Sequence, residues 1–383
     1  MHITAASYAY PHVSGDVRAE LARRLQSRVS TPNVFILATC LRIEVVVHGD
    51  DESLSSTLAA VFGGAPESAH GKVRSGEDAV AHLFRISAGL ESPILGEREI
   101  LAQFRQAVVE AQTRGEATGM FAKLLETAVA AGRQARELLP DSPHDSMAAV
   151  AAQAVGGIEQ VAVLGSGTMA NAVILNLRGL PAPPEITVVA RSPEKVTAEG
   201  VAVWSFDRAE EALRTFPAVV SATSAKTRVI SDEMLEATVG ARSTPITIVD
   251  MAMPPDFRPP AVAHARYLNI DDLARMADRR PRRDDADVLV QNAAADAHRR
   301  FVDHHEVSPV IADLMALADE IVERTVEKFS GRLERAEDRD VLRQTAHTVA
   351  RTLLSGPVSY LKQGDREPEA VDAIADAFGI DDD

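Results

Sequence analysis

Cys40 is the only cysteine in 383 residues, and it lies in the segment Thr39-Cys40-Leu41-Arg42-Ile43-Glu44. On an extended backbone, Cys40, Arg42 and Glu44 point to one side. A guanidinium there lowers the thiol pKa and supplies the thiolate that nucleophilic catalysis requires. The same residues also fit an inert cysteine in an apolar strand. A second polar set starts at His82-Leu83-Phe84-Arg85 and continues through Ser92-Pro93 and Leu95-Gly96-Glu97-Arg98-Glu99 to Gln103. Glu99 and Gln103 are four apart and share a helix face, which suits either a binding surface or a solvated stripe. A structural histidine is the alternative reading of His82. The third set is a strand-like run, Gln160 to Leu164, leading into Gly165-Ser166-Gly167-Thr168-Met169-Ala170. This is G-x-G-x-x-A between a strand and a helix, where glycines permit a tight turn and a pyrophosphate sits on the helix N-terminus. At the end of the next strand, Ala190-Arg191-Ser192 stands where an NAD enzyme offers an acid, with Lys195 following. A guanidinium and a hydroxyl suit a 2′-phosphate, so the expected cofactor is NADPH. A solvated arginine is the alternative.

The elements that must position these residues follow from periodicity. Val34 to Val47 is rich in β-branched residues and reads as a strand interrupted near its middle. Ile100, Phe104, Ala107, Val108 and Ala111 recur at helical spacing, so Gly96 to Ala111 reads as an amphipathic helix. From Ile158 onward, strand-like runs at 186–190, 218–223, 246–252 and 267–270 alternate with helix-length segments, the pattern of βαβ units and a parallel sheet. Pro140-Asp141-Ser142-Pro143 and Arg279-Arg280-Pro281-Arg282-Arg283 punctuate the chain. They divide it into domains at 1–142, 143–280 and 281–383. The last is almost wholly helical, with Ile311, Leu314, Met315, Ala318, Ile321, Val322 and Phe329 forming an apolar stripe that other helices or a second subunit must cover. The closing Asp381-Asp382-Asp383 is expected to fray. The expected fold class is therefore α/β plus all-α.

Composition excludes several function classes. Forty Lys and Arg against 56 Asp and Glu leave a net charge of −16, which opposes a broad footprint on DNA or an anionic membrane. One cysteine rules out an internal disulfide and a thiolate-rich metal site, and suits a reducing cytoplasm. No signal-peptide pattern and no sufficiently long apolar run are present. The chain is expected to be soluble and cytoplasmic, with no metal.

In chain order, these segments resemble glutamyl-tRNA reductase, which opens the five-carbon route to tetrapyrroles. The family pattern T-C-N-R-x-E is met by Thr39, Cys40, Arg42 and Glu44. Its H-L-F-R block is matched by His82 to Ile86, Gly89 to Ser92, Gly96-Glu97, and Ile100-Leu101 with Gln103. Later patterns fall on Asp250, Ala252, Pro254 and Asp256, and on Ile270 to Leu273. The resemblance implies an α/β catalytic domain, a Rossmann NADPH-binding domain and a C-terminal helical dimerisation domain, joined by a long helix in a V-shaped homodimer. It implies that the Cys40 thiolate attacks the ester of glutamyl-tRNA, and that NADPH reduces the resulting thioester to glutamate-1-semialdehyde. His82 falls on an activity-critical histidine. Thr39, Cys40, Leu41, Arg42, Ser92, Glu97, Arg98, Glu99 and Gln103 fall on positions that hold the glutamyl group, Arg42 as the partner of a substrate carboxylate. Docking of the following aminomutase is implied as well.

Four departures stand out. Leu41 replaces an asparagine, Glu99 a glutamine, Ala190 an asparagine and Pro255 an arginine. They keep two rivals open: an NADP-dependent dehydrogenase of a free small molecule, like the shikimate dehydrogenases, and a non-catalytic binding protein. An RNA substrate also conflicts with the acidic charge, so basic contacts must be local. Arg105, Arg114, Lys123, Arg133 and Arg136 are the candidates, with solvated helix faces as the alternative.

Overall fold

The structure is a computed structural model. It describes residues 2–63, 71–139, 146–196, 198–225, 227–277, 284–332, 335–362, 367 and 369–380. Both expected boundary segments, 140–143 and 279–283, lie outside the described residues, as does the Asp381–Asp383 tail. The chain forms two compact units, 2–295 and 296–383.

The larger unit begins with a four-stranded antiparallel sheet. Its strands are β1 (Ile3–Ala9), β2 (Val34–Ala38), β3 (Arg42–His48) and β4 (Lys72–Ser75), in the order β2-β3-β1-β4. On one face, Ile43, Val45 and Val47 of β3 pack with Leu21 of α1 (Gly15–Leu25) and with Leu54, Val61 and Phe62 of α2 (Asp51–Phe62). The alternate residues of β3, Arg42 and Glu44, therefore fall on the other face. Against the sheet pack α3 (Gly76–Ser87) and α4 (Arg98–Thr113), with α5 (Gly119–Leu138) against these two helices. Val34 to Val47 is thus a hairpin and not one interrupted strand. Thr39 makes the difference: its Oγ1 accepts from the amides of Leu41 at 3.3 Å and Arg42 at 3.2 Å, closing a turn where ladder bonds would otherwise form.

The chain then enters α6 (Met147–Ala154), β5 (Gln160–Leu164), α7 (Thr168–Arg178), β6 (Glu185–Ala190), β7 (Ala202–Ser205), α8 (Ala209–Thr215), β8 (Ala218–Ser221), α9 (Asp232–Leu235), β9 (Ile246–Asp250) and β10 (Ala265–Asn269). The six strands are all parallel, in the order β10-β9-β8-β5-β6-β7. That is the doubly wound dinucleotide-binding order, with its reversal between β5 and β8. Strand β7 escapes a periodicity reading because it is a four-residue edge with three exposed positions. Asn269 caps α10 (Ile270–Met276), accepting from the amides of Asp271 and Asp272 at 3.0 Å each. Asp272 accepts from the Asn269 amide in return, so Asp271 is held in the first turn.

A 47-residue helix, α11 (Asp284–Ser330), begins in the larger unit and continues as the first helix of the smaller. The smaller unit adds α12 (Ala336–Leu361) and α13 (Ala370–Phe378). Its core joins Val307, Val310, Leu314 and Ala318 to Leu354, Leu361, Val371 and Ala375. The apolar stripe is thereby divided. Leu314 and Ala318 are covered within the chain, whereas Ile321 and Phe329 stay exposed, as do Val349 and Leu353 of α12. Among the described residues, no helix is long and apolar enough to cross a membrane.

Candidate functional site

Cys40 sits at the tip of the β2–β3 turn and is half-buried. Because the backbone turns there, it does not share a strand face with Arg42, and the expected activation by Arg42 is not what the fold provides. The nearby guanidinium is that of Arg18, from α1. Fully buried, it donates from Nε to the Cys40 carbonyl at 3.3 Å and also to the Val13 carbonyl and the Asp271 carboxylate. The Gly15 amide donates to the same carboxylate at 2.9 Å. Asp271, at the head of α10 in the nucleotide domain, therefore fastens the turn that presents the thiol. Arg18 does not leave that thiol acidic. Desolvation, with the charge of Glu97 next, pushes Cys40 up to about 12 against the opposite pull of Arg18.

Arg42, Glu44 and His82 form a buried network. Glu44 accepts from Ser7 Oγ at 3.0 Å and from Arg42 at 3.3 Å, and its second oxygen lies 3.1 Å from His82 Nε2. Arg42 also donates to the Glu91 carbonyl. Its guanidinium is already engaged in this fold, so pairing with a substrate carboxylate requires it to exchange a partner. Ser92 and Glu97 come from the loop between α3 and α4. Gly96 adopts φ +71° there, and a Cβ would strike Leu139 at 2.7 Å, so only glycine fits. Burial, with Glu99 next, raises the Glu97 carboxyl to about 7 while Arg42 opposes. Glu99 Oε2 is buried with no hydrogen-bond partner among the described residues. A buried acceptor in that state is costly until a donor arrives. The Arg98 side chain lies outside what is described.

The glycine turn sits at the C-terminal end of β5. Gly165 has φ +116°, and a Cβ would lie 2.6 Å from the Ala222 carbonyl at the end of β8. Gly167 caps α7 with no side-chain bond, and Ser166, Thr168 and Met169 remain partly or fully exposed. The first amides of α7 are left for an anion. Exposed Arg191 ends β6 beside half-buried Ser192, and its charge is felt by Asp256 across the sheet. These residues fit a phosphorylated dinucleotide. The Asp250 and Asp256 motif is used within the fold. Asp250 accepts from the amides of Ala252 (3.1 Å) and Phe257 (3.0 Å), and Asp256 accepts from Ser221 (2.6 Å) and Thr223. A cleft of about 670 Å³ brings the two halves together. Glu99 and Gln103 of α4 line it with Ala38, two residues before Cys40, and so do Thr168 and Met169 of the glycine turn.

Known proteins match this chain domain by domain. Residues 11–138 match the family model for the N-terminal domain of glutamyl-tRNA(Glu) reductase, and residues 286–380 match its dimerisation domain. Together these two models cover more than half of the chain. The chain belongs to the glutamyl-tRNA reductase family. Residues 149–276 match the shikimate/quinate 5-dehydrogenase model. Glutamyl-tRNA reductases from two Staphylococcus aureus strains, bovine RF122 and MRSA252, are each 29% identical over 357 residues, covering 86% of this chain and 79% of theirs. The solved glutamyl-tRNA reductase from Methanopyrus kandleri covers 99% of both chains at 23% identity, with a TM-score of 0.45.

Within the glutamyl-tRNA reductase family, three of the four departures now have physical settings. The Leu41 side chain does not face a polar surface. It is buried with Ile94, Met147 and Val150 in the core cluster that includes Val163 of β5. Its replacement of asparagine therefore removes no exposed donor here. Ala190 is likewise buried. Glu99 carries its added charge into the cleft. Sequence reasoning missed Arg18 and Asp271, which are 253 positions apart and show no local pattern. The I-D-D-L segment held the second without revealing its role.

Proposed function

We propose that this chain reduces glutamyl-tRNA to glutamate-1-semialdehyde with NADPH through a thioester on Cys40. The observation that carries the reading is the shared cleft: substrate-set residues Glu99 and Gln103 and cofactor-turn residues Thr168 and Met169 line one cavity beside the Cys40 turn. Gly165 to Ala170 would hold the pyrophosphate, with Arg191 and Ser192 at the 2′-phosphate. Once bound, the nicotinamide supplies hydride.

The chain's own residues do the rest. The Cys40 sulfur attacks the ester carbonyl carbon, the C–O bond to the terminal ribose breaks, and that ribose oxygen leaves with a proton. After reduction of the thioester carbonyl, the C–S bond breaks, releasing the aldehyde and regenerating Cys40. Covalent capture divides one hard reduction into two easier steps. The thiol at about 12 must lose its proton on attack, and Glu97 at about 7 is the base whose charge already reaches it. His82, with Glu44, holds Arg42. Thr39 shapes the turn, and Arg42, Ser92, Glu97, Arg98, Glu99 and Gln103 bind the glutamyl group. Unpartnered Glu99 Oε2 accepts from its ammonium.

The domain limits at 142 and 280 belong to this proposal, as do a cytoplasmic location, where aminoacylated tRNA and reduced cofactor are made, and a docked aminomutase taken from the resemblance alone. The chain is a homodimer through its C-terminal helices. Incubation with glutamyl-tRNA and NADPH should give aldehyde, and ribonuclease should stop it. Cofactor oxidation that persists after ribonuclease, with a free acid as substrate, would overturn the reading.

A further inference from the structure

Exposed and half-buried arginines in this acidic chain commonly answer a nearby carboxylate: Arg24 with Glu20, Arg208 with Glu211 and Arg214 with Glu210. Arg105 on α4 and Arg133 on α5 are exposed and make no ion pair among the described residues. Both line an open groove of about 510 Å³ with Arg136, over an apolar floor that includes Leu101, Ala102 and Val129. Glu137 is the single acid among the described lining residues. Arg105 and Arg133, with no ion pair among the described residues, repel one another until an anion arrives. Of the other basic candidates, Arg114 pairs with Glu116 at 3.2 Å and Lys123 with Glu126 at 3.7 Å, and neither lines this groove.

The groove adjoins the active-site cleft. Ala102 lines both cavities, so they meet across one small side chain of α4. Arg136 donates to the Gly96 carbonyl, directly before Glu97. We propose that the groove is the track for the sugar–phosphate backbone of the tRNA, whose 3′ end crosses α4 at Ala102 and places its glutamyl ester between Gln103 and Cys40. The proposal rests on the reading of this chain as a glutamyl-tRNA reductase. Guanidinium groups suit phosphates, and their flat faces also suit the exposed bases of a single strand.

The test uses the full-length protein and tRNA carrying no amino acid, so that ester chemistry plays no part. Affinity is measured against salt for the parent and for an Arg105→Ala, Arg133→Ala double variant. Losing two phosphate contacts should lower the log–log slope by about 1.4–1.8, with NADPH affinity and melting temperature unchanged. Lys123→Ala should keep the parental slope. A double variant with the parental slope, on a parent that does bind tRNA, overturns the groove alone. A parent with no salt-dependent tRNA binding overturns the functional reading as well. Ala102→Phe, at an exposed position, should keep the slope and lose turnover. Undiminished turnover would show that the 3′ end does not cross there.

Discussion

The two sheets of the larger unit present their polar groups by opposite means. The parallel sheet offers backbone: Gly165 at φ +116°, the uncapped start of α7 and a strand end carrying Arg191. Its buried carboxylates, Asp250 and Asp256, brace loops and turn inward. The antiparallel sheet offers charged side chains in low dielectric: the Ser7–Glu44–Arg42–His82 network, the Arg18–Asp271 pair, and Glu97 against Cys40. The lesson is a difference in robustness. Backbone donors remain when side chains change, whereas each member of a buried charged network leaves its partner stranded when removed.

Substitutions can break or sharpen that contrast. The largest effect belongs to Cys40→Ser, which should abolish reduction of glutamyl-tRNA while fold and NADPH binding persist. Serine is a far weaker nucleophile. Turnover at a substantial fraction of the parental rate would end the covalent mechanism.

Next comes Arg18→Leu. It strands the Asp271 carboxylate and the Cys40 carbonyl, and should cost about 3–5 kcal/mol of stability. Its melting temperature should fall by far more than that of Arg191→Ala. The thiol should also become harder to ionise, because Arg18 pulls its pKa down, so alkylation by iodoacetamide should slow at fixed pH. Equal melting temperatures for the two variants would erase the contrast.

Glu97→Gln tests the sign of a buried carboxyl. Its pKa is raised to about 7 from an ordinary 4.5, so the folded chain holds a proton that the unfolded chain has released. The group therefore destabilises the fold progressively as pH rises from about 4.5 to 7, and at full strength above that, by up to about 3 kcal/mol. The amide should flatten the decline in melting temperature across that range. It should also speed alkylation of Cys40, by removing a repelling charge, while slowing turnover, by removing the base. Turnover that rises with alkylation would exclude the base role.

The smallest effect is expected at Arg191→Ala. Loss of a charge-assisted contact to the 2′-phosphate costs about 1.5–3 kcal/mol, roughly tenfold or more in NADPH affinity, while NADH binding changes little. Titration with both cofactors checks it, and equal weakening would remove Arg191 from that role.

How much was legible follows from the same contrast. Gly165 to Ala170 could be read directly, because strand, turn and helix start are contiguous and glycine marks a backbone requirement that no distant residue supplies. Helix α4 was legible from the spacing of Ile100, Phe104 and Val108, and with it the shared face of Glu99 and Gln103. The turn at Cys40 was not: β-branched residues run through both strands, and the break depends on a single hydroxyl, that of Thr39. The fate of the C-terminal stripe was also hidden, since periodicity identifies an apolar face without saying that Leu314 is covered by α12 and α13 while Leu353 stays open.

By itself, then, the sequence determined which side chain carries a thiol, where a glycine turn leads from strand into helix, and that a parallel α/β region is followed by helices. These properties are encoded by neighbours within one or two turns of chain. Only the tertiary structure decided what each group experiences. It set Arg18 and not Arg42 on the Cys40 turn, tied that turn to Asp271 at the head of a distant helix, and buried Leu41 in the core. It drew Glu97 toward the thiol and joined groove to cleft at Ala102. A pKa or a cavity depends on every charge and surface within a few ångströms, and those neighbours come from positions tens to hundreds of residues away.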